Sequence, residues 1–376
     1  MLSFWEQDVL TRTDWIVVGA GIVGLQTALE LRQRRPQDRI VVLERGLLPA
    51  GASSRNAGFA CFGSLTEILS DIRKLGDAAA LQLVEQRWLG LQKLRGRLSD
   101  AALGYEPLGG YELLFAAQLP ALEQLDAVNQ LLKPLFGQPV FSVEAGGRQR
   151  CGFSGNVQAL LANPFEGQIH SGRAMQSLAA LARSQSIEIV YGAEVTALEP
   201  AEGKVAVQLR GGLEAISFVA RGVALCTNGI SRELLPDCGI VPGRGQVIVT
   251  EPIAGLPWKG TYHLDEGYYY FRNVGDRVLL GGGRNLDFPG EETTAMNTTP
   301  AIQQALETLL AQVILPERPF TIAHRWAGIM GFTADKLPRV QSIAPQTVIG
   351  FGCNGMGVAL GAHIASQTAQ CLLDCA

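Results

Sequence analysis

Apolar residues run unbroken through Trp15-Ile-Val-Val18 and again from Ile40 to Leu43. Runs this short and this continuous fit strands buried on both faces, as in a parallel sheet. Between them, Ile22 to Arg34 is rich in alanine and leucine and ends in basic residues, which suit a helix C-terminus. The stretch predicts strand, helix, strand: a βαβ unit. Positions 66 to 99 keep a helical period with polar residues on the exposed faces. Positions 105 to 165 are mixed, with turn signals at Leu108-Gly-Gly110 and Ala145-Gly-Gly147.

Further on, 174 to 185 reads as a helix. Glu188 to Tyr191, Val195 to Leu198 and Val205 to Leu209 read as strands, and Val223 to Thr227 as another buried one. Several strand-like runs separated by turns fill 245 to 283, which favours an antiparallel sheet. Positions 301 to 312 predict a helix. The end repeats the opening pattern: strand Thr347 to Gly350, a glycine loop, and a helix from about Met356 to Leu373. No internal repeat and no low-complexity linker divides the chain. The expected fold is α/β (α+β overall). A Rossmann-like parallel-sheet domain (12–85, 166–235, 321–376) interleaves with an antiparallel-sheet substrate domain (86–165, 236–320).

Composition narrows the function. The chain has 376 residues, 47% of them hydrophobic, enough for one large core or two joined ones. A net charge of −4 gives no basic excess for nucleic acid or for an anionic membrane. No apolar run reaches the roughly 18 residues that span a bilayer. Met1 to Asp14 carries Glu6 and Asp8 and lacks the pattern of a signal peptide. Seven scattered cysteines without a CxxC pair suggest neither a disulfide framework nor a zinc site, and a reducing cytoplasm fits them best. The four histidines have no metal-like spacing, so no metal is expected.

The chemistry concentrates at Gly19-Ala-Gly21-Ile22-Val23-Gly24, between the first strand and the first helix. Glycines there permit a tight turn, close approach of backbone to a pyrophosphate, and close helix–sheet packing. The helix N-terminus then faces the phosphates. Glu44, 20 positions after Gly24 and ending the second strand, suits a ribose and repels a 2′-phosphate. Arg45 and Gly46 lead into Gly51-Ala52-Ser53-Ser54-Arg55-Asn56-Ala57-Gly58. Small residues here let backbone approach a flat ring, and Ser53, Ser54 and Asn56 offer polar contacts.

At this loop the chain resembles the D-amino acid oxidase, glycine oxidase and sarcosine oxidase superfamily of FAD enzymes. The likeness continues in order. Val223 to Gly229, with Thr227, Asn228 and Gly229, resembles a strand near the cofactor. Val241 to Gln246 resembles a "P-x-R-G-Q" segment. Tyr268 to Arg272 and Arg277 to Gly283 resemble the substrate-domain hairpin, with features of gamma-glutamylputrescine oxidase. Trp326 to Pro338, which includes Gly328, resembles "W-x-G-x-R-P-x-T-x-D-x-x-P". Gly350 to Val358 resembles the closing glycine loop and helix. The resemblance implies FAD, held also by Val195, Gly352, Asn354, Gly355, Met356, Gly357 and Val358. It implies that the last helix points its N-terminus at the flavin pyrimidine edge, where a positive dipole end favours reduction.

The pattern also breaks. Glycine oxidase-like members carry an Arg for the substrate carboxylate where this chain has Met330. Arg325, Arg272 and Arg284 are the other candidates for that charge. Tyr268 is expected to face the pocket. No Cys lies in 326–338, so FAD is expected to be non-covalent. Leu279 stands near the place of a Lys in sarcosine oxidase-like members. Cys61 and Cys353 are expected to be small packed residues, and His263 and His324 structural ones. The expected function is oxidation of a C–N bond in a small-molecule amine or amino acid by hydride transfer to FAD. Catalytic positions would be Tyr268, Met330, Arg272 and Arg325. Rival readings are a nicotinamide-dependent reductase, a tRNA-modifying flavoenzyme and a non-catalytic flavoprotein; a second GxGxxG is absent, and the acidic balance speaks against RNA.

Overall fold

The unbroken apolar runs become the middle of a mixed sheet. A computed structural model describes residues 3–210 and 216–376. Five strands lie parallel in the order Glu188–Tyr191, Ile40–Glu44, Arg12–Val18, Ile216–Leu225 and Thr347–Phe351. Arg339–Ala344 closes one edge antiparallel, and Glu194–Ala201 and Lys204–Arg210 extend Ile216–Leu225 as an antiparallel meander. Every residue of Ile40–Glu44 is buried, as expected of a strand covered on both faces. One face packs on helices Ile22–Arg34, Ser171–Ser184 and Gly357–Cys375; the meander contributes to the core on the other.

A second eight-stranded sheet runs from Ile322–Phe332 through Val241–Thr250, Arg277–Gly282, Tyr269–Val274 and Thr261–Leu264. It continues to Gly110–Phe115, Val157–Asn163 and Ser142–Val143. It is antiparallel as expected, except that Thr261–Leu264 pairs parallel with Gly110–Phe115. Helix Pro300–Leu309 packs its buried Ile302 and Leu306 into that sheet's core.

Two expected boundaries need correction. The segment 321–376 does not belong wholly to the first sheet: Ile322–Phe332 pairs along its length with Val241–Thr250 of the second. Its apolar and glycine positions read equally well in either sheet. The boundary at 85/86 cuts a continuous helix, Asp77–Arg97. That helix packs on the C-terminal helix of the first sheet, where a Cβ on Gly90 would stand 2.1 Å from the Ala359 carbonyl oxygen. The helical run 66–99 is itself broken at Gly76, whose φ of 81° separates Leu65–Leu75 from Asp77–Arg97. No helix among the described residues is long and apolar enough to cross a membrane.

Candidate active site

Where the strands of the first sheet end, a cavity of about 560 Å³ opens and extends over one face of the second sheet. Gly19 makes the first turn with φ 104°, and Gly21, Ile22 and Val23 bring the helix N-terminus to the cavity wall. The Ile22 N–H donates to Ser53 Oγ at 2.8 Å, tying the helix start to the second loop. Glu44 lines the cavity with one oxygen accepting from the Ala20 N–H at 2.9 Å and the other from the Gly46 N–H at 3.0 Å. Each carboxylate oxygen keeps a further acceptor site. Arg45, exposed beside it, pairs with Glu233.

The second loop supplies Ala52, Ser53, Asn56, Ala57 and Gly58 to the wall. Asn56 is mostly a brace: its Oδ1 accepts from the Gly58 N–H and the Ser171 hydroxyl, and its Nδ2 donates to the Ser53 carbonyl. Val195, Thr227, Asn228 and Gly229 line the cavity from the strand ends. Asn354, Gly355, Met356, Gly357 and Val358 line it at the start of the last helix. Three expected contacts stand behind the wall. Gly24 faces the Gly19 carbonyl, because its task is the close packing of helix on turn. The Ser54 hydroxyl turns back to the Pro49 carbonyl. Gly352 donates its N–H to Asn228 Oδ1 at 3.3 Å, locking two loops together.

The second sheet presents a row of side chains in cross-strand register: Glu112, His263, Tyr270, Gly281, Val247, Trp326. Paired residues share a face, so the row is a physical line. The sheet in and beside this row is paved with glycine. A Cβ on Gly281 would stand 2.5 Å from the Tyr270 ring, one on Gly245 2.8 Å from Met330 Cε, and one on Gly243 2.4 Å from the Phe332 ring. Tyr268, Tyr270, Met330 and Gly328 all line the cavity. Tyr269, between the two tyrosines, packs against the core of the second sheet. Burial pushes the Tyr270 phenol up to about 12, so it stays protonated as a donor.

At the row's other end sits a buried titratable group. His263 Nδ1 lies 3.5 Å from Glu67 and its Nε2 lies 3.4 Å from Glu166. Glu166 is oriented by the N–H groups of Phe62 and Gly63. Cys61 Sγ, a Glu166 oxygen and a His263 nitrogen all lie within 4.8 Å of one another. Burial works against a charge on His263, but the nearby Cys61 thiol and Glu166 carboxylate outweigh it and hold its pKa well above the usual value. Burial pushes the Cys61 thiol up to about 11 and the Glu112 carboxyl up to about 7.

Residues 14–371 match the family model described as "FAD dependent oxidoreductase" (DAO). The chain belongs to this family. Among curated relatives, it is 24% identical over 363 residues to the bifunctional protein ThiO/ThiG of Synechocystis, covering 93% of this chain and 49% of that one. The chain thus spans about half the length of that relative. Among solved structures, L-proline dehydrogenase from P. horikoshii superposes with a TM-score of 0.76 at 17% identity, covering 96% of this chain and 92% of the other. Glycine oxidase from Geobacillus kaustophilus gives 0.76 at 19% identity, covering 97% and 95%. At these identities the two structures speak to the fold.

The DAO-family cofactor suits the cradle. The Gly21 position carries no side chain toward the cleft, a helix N-terminus opens on it, and Glu44 retains acceptor capacity. Two of the four catalytic positions expected from sequence lie elsewhere. Arg272 is buried and donates to the carbonyls of Gly58 and Ile169 at 3.0 and 2.9 Å, so it holds the Asn56–Gly58 loop. Burial lowers its pKa to about 10. Arg325 is exposed and pairs with Glu307 and Gln303 on the outer side. His324 is also exposed. Sequence reasoning missed Glu112, which strand pairing sets beside His263, and Glu67 and Glu166, which reach His263 from helix Leu65–Leu75 and from the turn after Val157–Asn163. Phe332 and Arg55 also line the cavity without having been singled out. The period-2 pattern from Met330 was a usable signal for Phe332.

Proposed function

We propose that this DAO-family protein oxidises the C–N bond of a small-molecule amine or amino acid to an imine, which water then hydrolyses to a carbonyl compound. The observation that carries the reading is continuity: the dinucleotide cradle and the glycine-paved face of the second sheet share one cavity. Bound FAD, held non-covalently, supplies the hydride acceptor. The chain's part is to hold the substrate carbon close and keep water out. Gly245 and Gly281 keep the floor low, while Tyr270 and Met330 lie over them as an apolar surface. Such a surface disfavours an ammonium and favours the neutral amine, whose lone pair assists hydride loss. FAD non-covalence is supported by the lack of Cys in 326–338 and by the buried, protonated thiols of Cys61 and Cys353, the latter pushed up to about 12 by burial.

The test is an anaerobic screen of primary amines, secondary amines and amino acids, read as bleaching of the oxidised flavin band. Bleaching by an amine supports the proposal. A flavin that dithionite reduces but no member of the panel does would refute it. With Met330 in place of an Arg, glycine and D-alanine are expected to be poor substrates.

A further inference from the structure

Arg284 is a cation in the wall of the active-site cavity, without an ionic partner among the described residues. It follows the hairpin strand Arg277–Gly282 and is half-buried. Its Cδ would lie 3.6 Å from a Cβ on Gly243, so its stem crosses the glycine floor beside Met330 and Phe332. Its guanidinium stands 4.0 Å from the centre of the Phe332 ring and 4.9 Å from that of Phe288. Two aromatic faces grip the cation and fix its direction.

Among the described residues, no carboxylate lies within ion-pair distance of Arg284. The two nearby acids are committed. Glu291 accepts from Arg244 and Gln246, and Glu292 pairs with Arg232 at 3.6 Å. Burial lowers the Arg284 pKa, as expected of a partly desolvated cation without a neutralising contact. A charge held in this way gains most from a ligand that brings the opposite charge and fills the fork. The guanidinium lies over Phe332, two positions along the strand from Met330, an offset of roughly 6–7 Å.

We infer that Arg284 is the anion anchor of the substrate site, and that the substrate is an amine whose carboxylate is several bonds from the reacting carbon. This rests on the amine-oxidation reading above and deepens it. Met330 removes the charge from one place on the sheet; Arg284 brings one back from the end of Arg277–Gly282, two strands away, displaced along the floor. An ordinary α-amino acid places its carboxylate one bond from the reacting carbon, too near to span that offset.

The test compares 5-aminopentanoate with its amide on the FAD-loaded protein, in wild type, Arg284→Met and Arg284→Lys. The readouts are flavin reduction and calorimetric binding of pentanoate, which lacks an amine and cannot react. Wild type is expected to favour the acid over the amide by about tenfold or more, the range of a charge-assisted bond, mainly through KM. Arg284→Met brings that ratio near one and abolishes pentanoate binding, while Arg284→Lys keeps part of both. FAD content and melting temperature of each variant establish that the fold is intact. An acid-to-amide ratio near one in wild type, or a ratio untouched by Arg284→Met, overturns the anchor and leaves amine oxidation standing. A ratio larger for D-alanine over its amide than for 5-aminopentanoate overturns the remote carboxylate. Should no amine reduce the flavin while pentanoate binds and Arg284→Met abolishes it, the oxidation reading fails and the anion site stands.

Discussion

Gly21 and Gly24 belong to one motif but are expected to fail in different ways when each is changed to alanine. A Cβ on Gly24 would lie 1.8 Å from the Gly19 carbonyl oxygen and 3.0 Å from its carbon. Carbon–oxygen contacts settle at about 3.3 Å or more, so turn and helix must separate by roughly 1.5 Å. Overpacking of that kind costs about 1–3 kcal/mol, or a few degrees in melting temperature for a chain of this size. A Cβ on Gly21 meets only Ser53 Oγ, at 3.0 Å, and points into the cavity. Gly21→Ala should leave the apoprotein's melting temperature within about 1 °C. It should weaken FAD by about 1–3 kcal/mol, or roughly 5- to 150-fold. Gly96, with nothing within 4 Å of its would-be Cβ, is the control: alanine there should stabilise the helix by about 0.5–1 kcal/mol and leave FAD affinity alone. Circular-dichroism melts of the apoproteins and titrations read by quenching of FAD fluorescence give both quantities. A Gly24→Ala apoprotein that melts like wild type would refute the packing role of Gly24. A Gly21→Ala variant that loses as much apoprotein stability as Gly24→Ala, and no more affinity, would refute the cofactor role of Gly21.

Glu44→Ala should weaken FAD by about 1.5–3 kcal/mol, and Glu44→Gln by less, because an amide oxygen still accepts; equal affinity in a fluorescence titration would remove this acid from the ribose. Acid precipitation should leave a colourless pellet and a yellow supernatant, and flavin retained in the pellet would mean a covalent link. The Glu112 carboxyl titrates at about 7 in the folded protein against 4.5 unperturbed, so the folded state holds its proton more tightly. Its contribution to stability therefore falls as pH rises from about 4.5 to about 7, by up to roughly 3 kcal/mol. Glu112→Gln should flatten that fall, and urea unfolding at pH 5 and pH 8 with the wild-type slope retained would contradict it. Arg325→Ala should change flavin reduction less than about twofold, since the side chain's partners, Glu307 and Gln303, lie outside the cavity wall; a large loss would return Arg325 to the site.

What the sequence made legible is what local spacing controls. Gly19 to Gly24, Glu44 and the loop to Gly58 sit within one βαβ unit, so distance along the chain stands in for distance in space. The alternation of Tyr268, Tyr269 and Tyr270 likewise gave their faces. The failures have a common cause. Arg272 shares a face with Tyr268 and Tyr270, as its spacing implies, but a long side chain carries its charge away from its Cα. Here it reaches the carbonyls of Gly58 and Ile169, and nothing in the hairpin's own pattern points to them. Arg325 stands one position from Trp326 on a strand, and a single step flips a side chain to the opposite face. The grouping of Cys61, Glu166 and His263 depends on which strands pair and in what register. Spacing of histidines and cysteines could not have found it.

The glycines of the second sheet link these observations. Three large side chains on the cavity floor lie across a glycine: Tyr270 over Gly281, Met330 over Gly245, Phe332 over Gly243. A strand glycine ordinarily weakens a sheet, since it packs nothing and costs entropy. Here the missing Cβ is the volume that the neighbouring ring or thioether occupies, so the glycine fixes a rotamer on another strand. Arg284 follows the same rule, with its stem passing over Gly243 and its charge resting on Phe332. Substrate preference in this arrangement therefore follows from which large residue covers which glycine. An Arg at 330 would first have to displace a side chain already seated on Gly245. A cation brought in from the end of Arg277–Gly282, on the far side of Val241–Thr250, reaches the floor with Met330 still in its place.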